Sequence, residues 1–211
     1  MKSFFSEYVL YFMVQSKNQR LTNVEKRGEA RRDSGEMKVF AFKDRFQLLI
    51  HVNQEIGLKL SAMKSVNSGF NVTVPTGGAA FVSAYDIWAG NNAYEIMLWM
   101  NSYGGVKPIS YNWNSSGNPV PVFSNVSIGG IGGHTWNVYK GNNSANDVFS
   151  FVRTGNTSSG NVDVLAIMNW IKTKGWYADV VLNRVQFGFE ITSSPAGLNF
   201  TTNSYSVSYS R

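Results

Sequence analysis

Between residues 61 and 211 the chain holds two glutamates, Glu95 and Glu190, and each sits inside an apolar run, "AYEIMLWM" and "VQFGFEI". An unpaired acid is costly to bury, and Glu is poorly suited to ordinary strand packing. If both runs are strands, alternation sends Tyr94, Ile96, Leu98 and Met100 to one face and Glu95, Met97 and Trp99 to the other. Residues 181–191 divide the same way: Val181, Asn183, Val185, Phe187, Phe189 and Ile191 against Leu182, Arg184, Gln186, Gly188 and Glu190. Each acid therefore falls on the face turned away from the core. Two carboxylates facing each other across a cleft are the minimum equipment for glycoside hydrolysis. One, kept protonated, gives its proton to the leaving oxygen; the other, ionised, attacks or supports the anomeric carbon. Met97 and Trp99 offer the flat apolar surfaces on which sugar rings rest. The competing reading is a pair of solvent-facing glutamates on a half-exposed sheet. Pattern alone leaves both open.

The elements that would position these acids are mostly strands. "GFNVTVP" alternates and stops at a Pro-Thr-Gly-Gly turn. "AAFVSAYDIWAG" ends at Gly90-Asn91-Asn92 and is followed by "AYEIMLWM", which predicts an antiparallel hairpin. In it Asp86 stands ready for either a structural place or a part of the cleft wall. "HTWNVYKG", "NDVFSFVRTG", "VVLNRVQFGFEITS" and "FTTNSYSVSYS" are further strands. One segment differs. "SSGNVDVLAIMNWIKTKGW" carries Val162, Leu165, Ile167 or Met168 and Ile171 near helical spacing, with Ser or Asn at its start and Gly175 after it. Many strands and one short helix predict an all-β fold, an antiparallel sandwich with the helix across one sheet.

The first 60 residues read differently from the rest. They hold 11 Lys/Arg and 7 Asp/Glu, against 8 and 6 in the remaining residues of the 211-residue chain. The run "RLTNVEKRGEARRDSGEMK" is of a type that could contact nucleic acid or anionic lipid, but a solvated mixed-sign stretch is the preferred reading. "FQLLIHVNQEIGLKLSAMK" argues equally for strand and helix. Six N-glycosylation sequons begin at Asn71, Asn114, Asn125, Asn142, Asn156 and Asn199, all after residue 65. Together with sparse charge they predict an extracellular protein. "MKSFFSEYVLYFMVQS" is no clear signal peptide, because Glu7 interrupts its apolar run and no small-residue cleavage site follows. The chain has no cysteine, and its two histidines, His51 and His134, lack a carboxylate cluster, so no metal site or cofactor is expected. His134 reads as structural or as a groove-edge residue. The glycine runs "SIGGIGGH" and "PTGGAA" lack the context of a phosphate loop and read as turns.

The wording of the sequence adds a resemblance. "AYEIMLWMNSYGGVKPIS", "GGHTWNVYKG", "DVFSFV", "SGNVDVLAIMNWI", "VQFGFEI" and "NSYSVSYS" resemble, in order and spacing, glycoside hydrolase family 12, over roughly residues 65–211. The family comprises endo-β-1,4-glucanases and xyloglucan-specific endoglucanases. The resemblance implies a β-jelly-roll of two antiparallel sheets, the concave one forming a groove for a β-glucan polymer. It implies retaining hydrolysis, with Glu95 as nucleophile, Glu190 as general acid/base and their carboxyls roughly 5–5.5 Å apart. It also implies that Met97 and Trp99 line the cleft; Gln186 and Asp86 join them as substrate-binding candidates on the same faces.

Three places depart from the family's wording. Gly105 stands where some cellulase members carry Asp, which leans toward xyloglucan as substrate. "FEIT" replaces the common "TEPF" after the acid. The family's signal peptide and first strands have no recognisable counterpart in residues 1–60. A disordered segment and a misread gene start are the two readings of that stretch, and the jelly-roll of residues 61–211 is then expected to lack some N-terminal strands. A monomer is expected, with neither nucleic acid nor membrane as partner. The alternative reading is a catalytically impaired jelly-roll that binds β-glucan or an inhibitor protein of a plant host.

Overall fold

The computed structural model describes residues 47–194 and 197–211 with three short strand pieces before them, and side chains from residue 53 onward. The strands are β1 (Val14–Gln15), β2 (Arg32–Asp33), β3 (Glu36–Val39), β4 (Gln47–Lys59), β5 (Ser65–Thr73), β6 (Ala80–Ala89) and β7 (Tyr94–Tyr103). They continue with β8 (Phe123–Ser127), β9 (Thr135–Asn142), β10 (Asp147–Arg153), β11 (Ser159–Asp163), β12 (Val181–Ser193) and β13 (Leu198–Ser210). One helix, α1 (Val164–Thr173), lies between β11 and β12. Apart from β1, β2 and β3, the N-terminal apolar run and the basic run 20–38 lie outside the described residues.

An eight-stranded sheet runs β1-β4-β12-β6-β7-β10-β9-β8, and a five-stranded sheet runs β11-β5-β13-β3-β2. This is the two-sheet sandwich with one helix that the sequence predicts. One pair departs from the antiparallel expectation: β10 runs parallel to β7, with Val148 opposite Glu95. The chain leaves β7 through a long loop, makes β8 and β9, and turns back into β10, so it re-enters beside β7 in the same direction. Gly104 starts that loop at φ +72°, where a Cβ would lie 2.4 Å from Ala80 Cα, so only glycine passes this crossing without displacing backbone.

The stretch that argued equally for strand and helix is a strand over residues 47–59, because β12 offers it a continuous partner from Lys59↔Val181 to Leu48↔Ile191. A bulge at Asn183 corrects the predicted faces of β12. Leu182, expected beside Glu190 on the polar face, belongs to the main core, since the extra residue reverses the alternation before Arg184. Asn183 accepts instead from the backbone N–H of Asn91 (3.0 Å). The helix begins two residues later than its apolar spacing suggested. Val162 belongs to β11, and the N-cap is Asp163, whose carboxylate accepts from Ala166 N (2.9 Å).

Between the sheets the core is aromatic. Phe187 of β12 stands 4.8 Å from Tyr85, 4.9 Å from Phe70 and 6.0 Å from Tyr205, so four strands from both sheets meet in one ring cluster. The Tyr205 hydroxyl donates to Val185 O (2.8 Å), which gives its buried polar end a partner. The other face of the large sheet is also covered at its centre. Val82, Ala84, Met97, Trp99 and Val148 form a second buried cluster, with Val106 from the β7–β8 loop and Val152 packed on it. Strands β6, β7 and β12 are thus buried on both faces through most of their length.

Candidate active site

Three neighbouring strands bring three acids to one face of the large sheet. β6 supplies Asp86, β7 supplies Glu95 and β12 supplies Glu190. Asp86 lies opposite Gln186 on one side and Met97 on the other. Glu95 lies opposite Trp88, two positions along β6 from Asp86, and Glu190 lies opposite Val82, four positions the other way. Asp86 therefore stands between the two glutamates on the sheet diagonal.

Burial makes the cluster electrostatically tense. Asp86, Gln186 and Glu190 are buried, and Glu95 is half-buried. Burial, and then the charges of Glu95 and Glu190, hold the Asp86 carboxyl well above the usual carboxylate range; the Trp88 N–H and the Arg184 guanidinium oppose this. Burial pushes Glu95 up to about 7, and a hydrogen bond from Asn143 pulls it down. At neutral pH Glu95 is poised between its two forms, and the ionisation of Asp86 is shifted in the same direction. Carboxylates with ionisations set apart by environment can divide the work of acid and base.

The remaining predicted residues sit on the same face, in different states. Gln186 Oε1 accepts from Trp88 Nε1 (3.1 Å), and the Arg184 guanidinium lies 5.1 Å from the centre of the Trp88 ring. Met97 and Trp99 are in the second buried cluster, 5% and 3% exposed, so they form a covered floor beside Glu95 rather than open platforms. The Trp99 indole N–H and the Ser150 hydroxyl are buried there with no hydrogen-bond partner among the described residues. Such groups are costly unless a water or a ligand hydroxyl meets them.

Sequence reasoning missed three residues of this site. Trp88 was legible in principle, since "YDIW" puts it on the face of Asp86 by alternation. Arg184 was assigned to the right face but not to the site. Asn143 carried no signal, being one Asn in the polar turn "KGNNSAND". His134 is a structural residue: Nδ1 accepts from Arg153 Nε (2.9 Å) and Nε2 donates to Asn161 O (2.8 Å), so both nitrogens are engaged. Among the described residues no group of three His, Cys, Asp or Glu side chains could hold a metal ion.

Comparison with known proteins bears on what this arrangement is. A xyloglucan-specific endo-β-1,4-glucanase A of Emericella nidulans is 35% identical over 159 residues, 72% of this chain and 62% of that protein. An inactive glycoside hydrolase, XLP1, of Phytophthora nicotianae is 32% identical over 131 residues, 59% of this chain and 50% of that protein. The chain thus spans about half to three-fifths of these curated relatives. Among solved structures, the xyloglucanase domain of NopAA, a type three effector from Sinorhizobium fredii in complex with cellobiose, superposes with a TM-score of 0.73 and 38% identity, covering 86% of this chain and 96% of that one. The profile of glycosyl hydrolase family 12 matches residues 23–209, reaching upstream of the span whose motifs carried the resemblance. With a match of that length, the chain belongs to glycosyl hydrolase family 12.

Proposed function

We propose that the protein is a retaining endo-β-1,4-glucanase that hydrolyses xyloglucan or a related β-glucan outside the cell. The observation that carries this reading is the diagonal of Glu95, Asp86 and Glu190 on three adjacent strands, with the charges of both glutamates acting on Asp86. Glu95, ionised, attacks the anomeric carbon while Glu190 protonates the glycosidic oxygen. Glu190 then takes a proton from the water that releases the sugar. Asp86 lies between them, and burial together with the two glutamate charges disfavours a third negative charge there. Gln186 stands at the space where the sugar sits, and Met97 and Trp99 form the covered floor beneath it.

Xyloglucan is favoured by the substrate named for the Emericella nidulans relative and by the NopAA domain. That domain's cellobiose supports a β-1,4-glucan as the class. Gly105 agrees with this lean, and a Cβ there would meet nothing within 4 Å. An extracellular location is supported by the sequons, whose six asparagines are all exposed, and by a substrate that is a polymer.

The test is reducing-sugar release from xyloglucan, carboxymethyl-cellulose and mixed-linkage glucan by wild type, Glu95→Gln and Glu190→Gln. Wild type should act best on xyloglucan, and each variant should lose on the order of 10²–10⁴-fold or more. Proton NMR of the first product should show the β-anomer. Activity equal in wild type and the double variant would remove the hydrolase reading.

A further inference from the structure

The turn between β9 and β10 is held by its own asparagines. Asn143 Oδ1 accepts the N–H groups of Ala145 (3.0 Å) and Asn146 (2.7 Å), and Asn143 N donates to Asn146 O (3.1 Å). Ser144, in the left-handed region at φ +76°, donates its N–H to Asn142 Oδ1 (2.7 Å), and Asn142 Nδ2 donates to Asp147 Oδ1 (2.9 Å). Two further bonds fasten this turn to the β6–β7 hairpin: Asp147 N donates to Ala93 O (3.0 Å), and Asn146 Nδ2 to Asn92 O. Because β10 runs parallel to β7 with Val148 opposite Glu95, the turn arrives beside the Glu95 side chain.

The orientation of the Asn143 amide follows from its partners. Its oxygen faces two backbone donors and its nitrogen faces a carboxylate, Glu95 Oε2, at 3.0 Å. The reversed amide would oppose donor to donor and oxygen to carboxylate, losing all three bonds. The donor aimed at Glu95 is thus fixed before any ligand arrives.

We propose that Asn143 is the positioning residue of Glu95: the turn presents its amide N–H to Oε2, holding the ionised carboxylate in one orientation and leaving Oε1 as the attacking oxygen. This inference rests on the reading of Glu95 as nucleophile. A donor to a carboxylate stabilises the charged form. Here it works against burial. The other acidic side chains of this face are Asp86 on β6 and Glu190 on β12, with Asp147 at the head of β10 beyond Asn142. Arg184 of β12 supplies the positive charge, over the Trp88 ring.

Asn143→Asp separates positioning from folding. Aspartate keeps both oxygens for the Ala145 and Asn146 N–H groups, so the turn survives, but it removes the donor to Glu95. Asn143→Ala removes both roles. The readout is the ¹³C carboxyl titration of Glu95, assigned by the signal that Glu95→Gln abolishes. At pH 5, where Glu95 is protonated, Asn143→Asp should melt with wild type and Asn143→Ala below it. In both variants the Glu95 titration should move upward by about one pH unit or more. The acid limb of kcat/KM should move with it, and kcat should fall roughly tenfold with little change in KM. A Glu95 titration unchanged in Asn143→Asp would overturn the proposal and leave Asn143 a turn residue. The titration needs no turnover. A wild type without hydrolysis would therefore sink the nucleophile reading, while the titration still decides whether Asn143 sets the ionisation of Glu95.

Discussion

Glu95 is held at a cost the fold carries for the sake of the site. Its carboxyl is raised from 4.5 to about 7, chiefly by burial, so between those values the folded chain binds a proton that the unfolded chain has released. Stability from this group is present below about pH 4.5 and is lost as pH rises through 7. Glu95→Gln, which cannot ionise, should therefore raise the thermal midpoint over wild type at pH 8 and leave it nearly unchanged at pH 4.5. A gain of equal size at both pH values would mean that packing, not charge, separates the two proteins. The residue scale is also where sequence was most informative. Glu95 and Glu190 are conspicuous because the rest of residues 61–211 holds no other glutamate, and alternation alone put both on the non-core face. Burial of Met97 and Trp99 was not legible, because it depends on Val148 and Val152, which the parallel pairing of β10 brings beside β7, and on Val106 folding back just past the end of β7.

At the level of elements, local chemistry set what sequence could reveal. The β6–β7 hairpin was legible because Gly90, Asn91 and Asn92 take positive φ, a demand that a Gly-Asn-Asn turn announces. The parallel approach of β10 to β7 was not, since it follows from where the β8–β9–β10 meander docks and no residue in β10 encodes it. The bulge at Asn183 likewise left no mark in an apolar-polar string, and it sent Leu182 to the core. Helix α1 was legible by period, while its start was masked by competing cap residues in "SSGNVD". Asp163 is the residue whose side chain meets the Ala166 N–H. Removing it in Asp163→Ala should cost about 1 kcal/mol, or roughly 2–4 °C in the thermal midpoint. Asp163→Asn, which caps as well, should hold near wild type. Should Asp163→Ala melt with wild type, the cap contributes nothing and packing alone fixes the helix start.

For the molecule as a whole, the question is what joins the two sheets. The aromatic cluster around Phe187 does so at the centre, by burial that pH does not touch. At one edge the join is polar. His134 precedes β9, takes a hydrogen bond from Arg153 at the end of β10, and donates to Asn161 O of β11, which belongs to the smaller sheet. Its Nδ1 must stay unprotonated to accept from a guanidinium. Burial lowers its pKa, the Asn161 bond opposes that, and the Arg153 charge lowers it further. A histidine with a depressed folded value contributes stability that is present above the unfolded value of 6.5 and is lost as pH falls below it. Glu95 works with the opposite sign between 4.5 and 7, so the two effects mask each other in wild type. Asp86, whose carboxyl is also raised, works with the same sign as Glu95, so the Glu95→Gln/Asp86→Asn background is the one that removes the mask. In it, the thermal midpoint should fall as pH drops from 7 to 5, and adding His134→Gln should flatten that slope while lowering the midpoint at pH 7. A slope that survives the histidine substitution would assign the acid sensitivity to another group. A flattened slope would make the β10–β11 edge the place where acid first loosens one sheet from the other.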